Sequence, residues 1–237
     1  MSPDTHTLDP YTADTRIAVC SGVSRTFGLP PHEMHALREA TCEILPRDRI
    51  ALTGSSGSGK STLLYLLAGI DSPTGGLIKW PALGGRDELR PGLVAMVFQG
   101  PSLLPPLDVL ENVGLPLMLA GVSDEMAAAS SREALQLLGL ADLATKLPEE
   151  LSGGQSQRVA VARVLAGRPR LILADEPTGQ LDRDSGVAVV DLLIETAAHI
   201  GAAVVLSTHD STMAARLPIQ WRIDDGVLNG ARTRVTA

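Results

Sequence analysis

The sequence predicts an α/β fold with a mostly parallel sheet covered by helices on both faces, and three observations carry that expectation. Short runs at 49–53, 93–98, 171–174 and 202–207 are apolar along their length rather than alternating, as strands buried on both faces are. Helical segments lie between these runs, and strands alternating with helices indicate parallel pairing. A glycine-rich loop joins the strand at 49–53 to a helix at 61–69, the strand–loop–helix context in which backbone amides gather around phosphate.

The elements follow in chain order. Residues 1–15, rich in Asp, Thr and Pro without periodicity, read as a flexible tail before a domain at 16–230, with a second tail at 231–237. A first strand is expected at 16–23. Residues 24–37 read as a hairpin or loop, interrupted by Gly28, Pro30 and Pro31. After the glycine-rich loop, Gly69 closes the first helix, and short strand pieces fill 76–97, strongest at 93–98. The stretch 100–121 is apolar but broken by Pro101, Pro105, Pro106 and Pro116. A helix at 124–138 takes Ser123 as N-cap and Gly139 just past its end, and another opens at Ser152, where Ser152 and Gln155 have capping-box spacing. A further helix at 185–200 ends at Gly201. The helices expected within about 100–168 form an inserted subdomain.

Composition narrows the function classes. The 237 residues are 44% hydrophobic and 20% charged, which suits a soluble globular domain with a sizeable core. Aromatics are 3%, so that core is built from Leu, Val, Ile and Ala. A net charge of -7 argues against a broad nucleic-acid face. The start lacks the apolar stretch of a secretory signal, and no apolar run approaches the roughly 18 residues a membrane span needs. Cys20 and Cys42 show no metal-ligand spacing and read as buried, reduced core residues, as in a cytosolic protein. His32 and His35 have no third ligand nearby and read as surface-loop residues.

Three segments carry chemistry. Gly54, Ser55, Ser56, Gly57, Ser58, Gly59, Lys60 and Ser61 fit the phosphate-loop pattern G-x-x-x-x-G-K-[ST], with Thr62 following. Its glycines let amides turn inward, Lys60 offers a point charge to β- and γ-phosphates, and Ser61 offers a hydroxyl to Mg²⁺. The apolar strand at 171–174 runs into Asp175 and Glu176. Ligands of open α/β sheets bind beyond the strands' carboxyl ends, so Asp175 is placed to hold Mg²⁺ and Glu176 to accept a proton from, or orient, an attacking water. Ser152, Gly153, Gly154 and Gln155 open a helix with small residues and unpaired amides, an anion seat.

The phosphate loop, Leu-Ser-Gly-Gly-Gln at 151–155 and Asp175-Glu176, in this order, resemble the ATP-binding subunits of ABC transporters, and the resemblance extends over about 16–230. It implies a phosphate-loop NTPase core with a small antiparallel β-subdomain and an inserted helical subdomain. It also implies that Ser152–Gln155 meet the γ-phosphate held by a second copy of the chain, so that two copies enclose two ATP. By the same resemblance Gln99 contacts Mg²⁺ or the attacking water, Asp182 lies at the dimer seam, and His209 contacts the γ-phosphate. Phe27 stands where the family stacks an aromatic on adenine; a core phenylalanine is the alternative.

Further segments, among them His35-Ala36-Leu37, Leu110-Glu111-Asn112-Val113 and Pro177-Thr178-Gly179, look like the group of macrolide-export, lipoprotein-release and FtsE-type cell-division ATPases. That group implies a separate membrane permease as partner, export or extraction of a substrate, and a place on the inner face of the cell membrane. The same ATPase regulating an envelope process is the alternative, and an acidic chain without zinc motifs speaks against a nucleic-acid partner. The leucines of 101–119 either form the family's groove for the permease or pack inward. Gln180 and Ser156 depart from the group's usual residues, and the segment 76–93 is shorter than usual.

Overall fold

The computed structural model of the chain describes residues 14–100 and 102–231; the tails expected at 1–15 and 231–237 lie, but for residues 14, 15 and 231, outside them. Strands β1 (Ala18–Phe27) and β2 (Met34–Ile44) pair antiparallel, and β3 (Arg49–Thr53) leads through the glycine-rich loop into helix α1 (Lys60–Leu67). β4 (Gly75–Lys79) returns to β1, and β5 (Val94–Val97) follows. Helices α2 (Val109–Leu119), α3 (Asp124–Leu137) and α4 (Gly153–Gly167) stand between β5 and β6 (Leu171–Asp175). Then come α5 (Arg183–Ile200), β7 (Ala203–Thr208), α6 (Ser211–Ala214), β8 (Ile219–Asp224) and β9 (Val227–Asn229).

The described residues form a nine-stranded sheet in the order β4-β1-β2-β9-β8-β3-β7-β6-β5. Strands β8, β3, β7, β6 and β5 run parallel, and β4, β1 and β2 make the antiparallel part. Successive side chains of a strand point to opposite faces, and both faces of the parallel part are buried. Ile50, Leu52, Leu171, Leu173, Ala203 and Val205 face α1 and the antiparallel strands. Ala51, Ile172, Ala174, Val204 and Leu206 face the side packed by α4 and α5. Two cores therefore sandwich one sheet, which is why its strands read as continuous apolar runs. Among the described residues no helix is long and apolar enough to cross a membrane.

Of the hairpin or loop expected at 24–37, the hairpin forms, with Phe27 opposite Met34 and Thr26 opposite His35. Two places differ from the expectation. β8 and β9 were not anticipated, although Ile219, Trp221 and Ile223 alternate with Gln220, Arg222 and Asp224. Asp225 and Gly226 between them have φ of 49° and 77°, the left-handed pair that a tight hairpin turn requires.

The second difference is α2, which continues through Pro116. A proline inside a helix has no N–H for the carbonyl four residues back. That carbonyl, on Asn112, instead accepts from Arg163 Nε of α4 at 3.0 Å. Arg163 Nη2 also reaches Asn112 Oδ1 at 3.0 Å, and Nη1 reaches Ser102 O at 3.1 Å. The Asn112 side chain, itself fully buried, donates to Leu104 O, Leu107 O and Asp108 O and accepts from Leu104 N–H. One guanidinium and one amide thus hold the proline-broken run in place against α4. Burial lowers the Arg163 pKa from its ordinary value, the expected cost of drawing a cation into a packed interface.

Candidate active site

The parallel strands β3, β6 and β7 end on one edge of the sheet, and the loops after them carry the expected chemistry. The loop after β3 turns at Gly54, Gly57 and Gly59, with φ of 152°, 76° and 110°. At Gly59 a Cβ would stand 2.2 Å from Ala36 O, so only glycine fits that approach. Gly59 is also the N-cap of α1 and supplies no side-chain bond to it, whereas every other described α-helix starts with a side-chain cap. The first amides of α1, at Lys60, Ser61 and Thr62, are thereby left for another acceptor, with no acidic residue in that turn to repel an anion. Ser58 Oγ, buried in the same loop, has no protein partner.

Lys60 is 5% exposed; its Nζ donates to Gly54 O at 3.0 Å and Ser55 O at 2.9 Å and lies 3.3 Å from Glu176 Oε1. The other carboxylate oxygen of Glu176 lies 3.3 Å from His209 Nδ1. One carboxylate from the loop after β6 therefore spans the phosphate-loop lysine and the histidine after β7. Glu176 has φ of 42°, an uncommon backbone for a residue with a side chain. Asp175, at the end of β6 and 7% exposed, accepts from Ser207 Oγ at 2.7 Å. Asp175 ends the strand against which α1 packs, and burial, then the Asp175 charge, raise the Tyr65 pKa above its ordinary value.

Glu176, Asp182, His209 and Asp210 open on a cavity of about 450 Å³. Gln99, just past β5, lies against the loop after Glu176: a Cβ on Gly179 would be 2.8 Å from Gln99 Nε2. Gln180 borders Gly100 in the same way, at 3.7 Å. Phe27 ends β1 with the Arg25 guanidinium 4.3 Å from its ring centroid, so stacking on another group is left to the opposite face.

The Ser152–Gln155 segment is closed on itself. Ser152 Oγ accepts from Gln155 N–H, and Gln155 Oε1 accepts from Ser152 N–H. Its described neighbours are Leu181 and Ser185 at the start of α5, beside Asp182, which caps that helix. The structure thus gathers Lys60, Asp175, Glu176 and His209 at one edge and sets Ser152, Gly153 and Gly154 beside the Asp182 turn. Residues that sequence reasoning passed over also shape this edge. Ser207 touches both acidic residues, and Gln157 of α4 donates to Phe98 O, next to Gln99. The available signals were a serine closing an otherwise apolar strand and a polar residue on the buried face of a helix.

A family profile described as ABC transporter matches residues 37–179. The chain belongs to the ABC transporter family. It is 38% identical over 231 residues to the lipoprotein-releasing system ATP-binding protein LolD of Shewanella denitrificans, covering 93% of this chain and 98% of that one. An uncharacterized ABC transporter ATP-binding protein of Mycobacterium tuberculosis is 42% identical over 204 residues, covering 83% and 82%. Among solved structures, a dimeric ATP-binding cassette in a post-hydrolysis state with ADP and Pi superposes with a TM-score of 0.78 at 33% identity, over 91% of this chain and 99% of that one. The fold, the ATP-binding subunit and the ATPase activity expected from the sequence agree with these relatives.

Proposed function

We propose that this ABC ATPase works as a pair of identical chains that enclose two ATP and drive a separately encoded membrane permease for export or extraction. The observation that carries the catalytic part is Glu176 held between Lys60 and His209 at the open amino end of α1. Lys60 and the amides of the loop would hold the β- and γ-phosphates, Glu176 would take a proton from or orient the attacking water, and His209 would contact the γ-phosphate. Phosphoryl transfer leaves little covalent work to the protein, so positioning and charge supply most of the rate. The donor set fits Mg²⁺, a hard cation that takes oxygen ligands: the Ser61 hydroxyl, the Asp175 carboxylate at the end of the strand against which α1 packs, and the Gln99 amide oxygen. Mg²⁺ bound there would neutralise phosphate charge. Phe27 would stack on adenine with the face that Arg25 leaves. Ser152, Gly153, Gly154 and Gln155 would meet the ATP of the second copy beside Asp182, as the dimeric cassettes similar to this chain suggest.

An apolar cavity of about 370 Å³, between β5 and the helices, supports the permease reading. It is lined by Met96, Phe98, Leu115, Pro116, Leu119 and Arg163, among others. Part of the leucine-rich run packs inward, with Leu103, Val109 and Val113 buried, and part faces out, with Leu119 69% exposed. The chain would therefore sit on the inner face of the cell membrane through its partner, without contact to nucleic acid. Glu176→Gln tests both halves. It should bind ATP, lose turnover by about a hundred-fold or more, and accumulate as a dimer. With Mg·ATP it should retain one multi-span protein from detergent-solubilised native membranes. Turnover like the unmodified chain's would remove Glu176 from the mechanism, and recovery of no membrane protein would remove the permease.

A further inference from the structure

β6 and β7 end side by side, with Asp175 in register with Ser207. Ser207 is fully buried, and its hydroxyl serves both acidic residues. Its Oγ is 2.7 Å from Asp175 Oδ1 and accepts from Glu176 N–H at 3.0 Å. The same N–H points to Ser207 O at 3.2 Å. The sense of these bonds is fixed by the groups themselves. An amide N–H only donates, so it takes a lone pair of the hydroxyl and leaves the single hydroxyl proton for Asp175. The bonds also meet a need, because Glu176 sits at φ of 42° and such a backbone persists only where its surroundings hold it. The remaining residues of β7 before Ser207, from Ala203 to Leu206, are apolar, so the hydroxyl stands at the one register position that faces Asp175.

We propose that Ser207 is a positioning residue for ATP hydrolysis: one hydroxyl orients the Asp175 carboxylate and clamps the left-handed backbone from which Glu176 reaches Lys60 and His209. The proposal rests on the reading of Asp175 as a metal ligand and of Glu176 as the group acting on water. Groups that orient a ligating carboxylate set metal affinity as well as rate, which a purely structural serine would not do.

The test is Mn²⁺ binding, followed by electron paramagnetic resonance, to chain loaded with a non-hydrolysable ATP analogue, beside steady-state ATPase kinetics and thermal melting. Ser207→Ala should bind Mn²⁺ about ten-fold more weakly and lose about ten-fold in kcat, with KM for ATP and metal-free nucleotide binding within about two-fold of the original. Ser207→Thr and Ser207→Val have the same shape and differ in the hydroxyl, so Thr should retain Mn²⁺ affinity that Val loses. Thr and Val behaving alike would overturn the proposal. So would Ser207→Ala with unchanged Mn²⁺ affinity and kcat, and that comparison alone decides if the two larger residues prevent folding. An unmodified chain that takes up no Mn²⁺ with the analogue would overturn the metal reading beneath it; one that does, beside an unaffected Ser207→Ala, overturns the role of Ser207 alone.

Discussion

At the start of α1 the backbone donors have no side-chain cap, whereas at Pro116 the one carbonyl that a proline frees is met by a half-buried guanidinium. Both regions break the regular helical pattern, and they are treated in opposite ways. The α1 end opens at the sheet edge where phosphate would bind, so donors without a partner are an asset there. The Asn112 carbonyl lies inside the packed helical subdomain, where an unmet acceptor costs about 1–3 kcal/mol. Orphaned backbone groups thus mark a ligand seat in one region and a structural clamp in the other.

The largest effects should come from the open end. Lys60→Ala removes the buried ammonium that bridges the loop carbonyls and Glu176, and should lower kcat/KM for ATP by at least about a hundred-fold in an ATPase assay. Little change in melting temperature should accompany that loss, because the seat is built for a ligand. Arg163→Met should show the reverse pattern, with stability lower by about 3 kcal/mol in denaturant unfolding and ADP affinity of the isolated chain nearly unchanged. Arg163→Lys, which cannot reach three acceptors with a planar fork, should recover only part of that stability. A stability loss below about 1 kcal/mol in Arg163→Met would show that Asn112 O is satisfied some other way. Pro116→Ala sharpens the contrast. It restores an N–H toward Asn112 O, so Arg163→Met should cost about 1 kcal/mol less in that background.

The two regions also differ in how much could be read in advance. The phosphate loop was legible because its constraints are local: the glycine spacing, Lys60 and the flanking strand and helix lie within 21 residues of one another, at 49–69. The apolar strands that carry Asp175 and Ser207 were legible because both sheet faces are buried. The Pro116 helix was not, because what makes it possible is Arg163, far along the chain on another helix. Phe27 opposite Met34 depends on cross-strand pairing, which the charged sequence of β2 conceals. β8 and β9 carry a local signal, the alternation at 219–224 and the Asp225-Gly226 turn, but a weaker one than the longer apolar runs of the buried strands. The role of Ser207 could not be read, because it depends on a parallel register between strands about thirty residues apart in sequence.

The smallest effect bears on the closed helix starts. Asp182 caps α5 by accepting from Ser185 N–H at 3.0 Å and Ser185 Oγ at 2.6 Å, whereas Gly59 gives α1 nothing comparable. Asp182→Ala should therefore lower the melting temperature by about 2–4 °C at neutral pH. The hydroxyl of Ser185, then its amide, hold the Asp182 carboxyl below its ordinary pKa in the folded chain. A depressed folded pKa means that the contribution is fully present above the unfolded value, about 3.9, and is lost as pH falls through the folded one. The difference in melting temperature between the unmodified chain and Asp182→Ala should stay flat from pH 7 to about 5 and shrink only in stronger acid. Asp182→Asn keeps an acceptor oxygen without a titrating charge, so its difference from Asp182→Ala should carry no such acid limb. A gap that grew toward low pH would show that the carboxylate strains the α5 start, and the contrast between open and closed helix ends would then rest on α2, α3, α4 and α6.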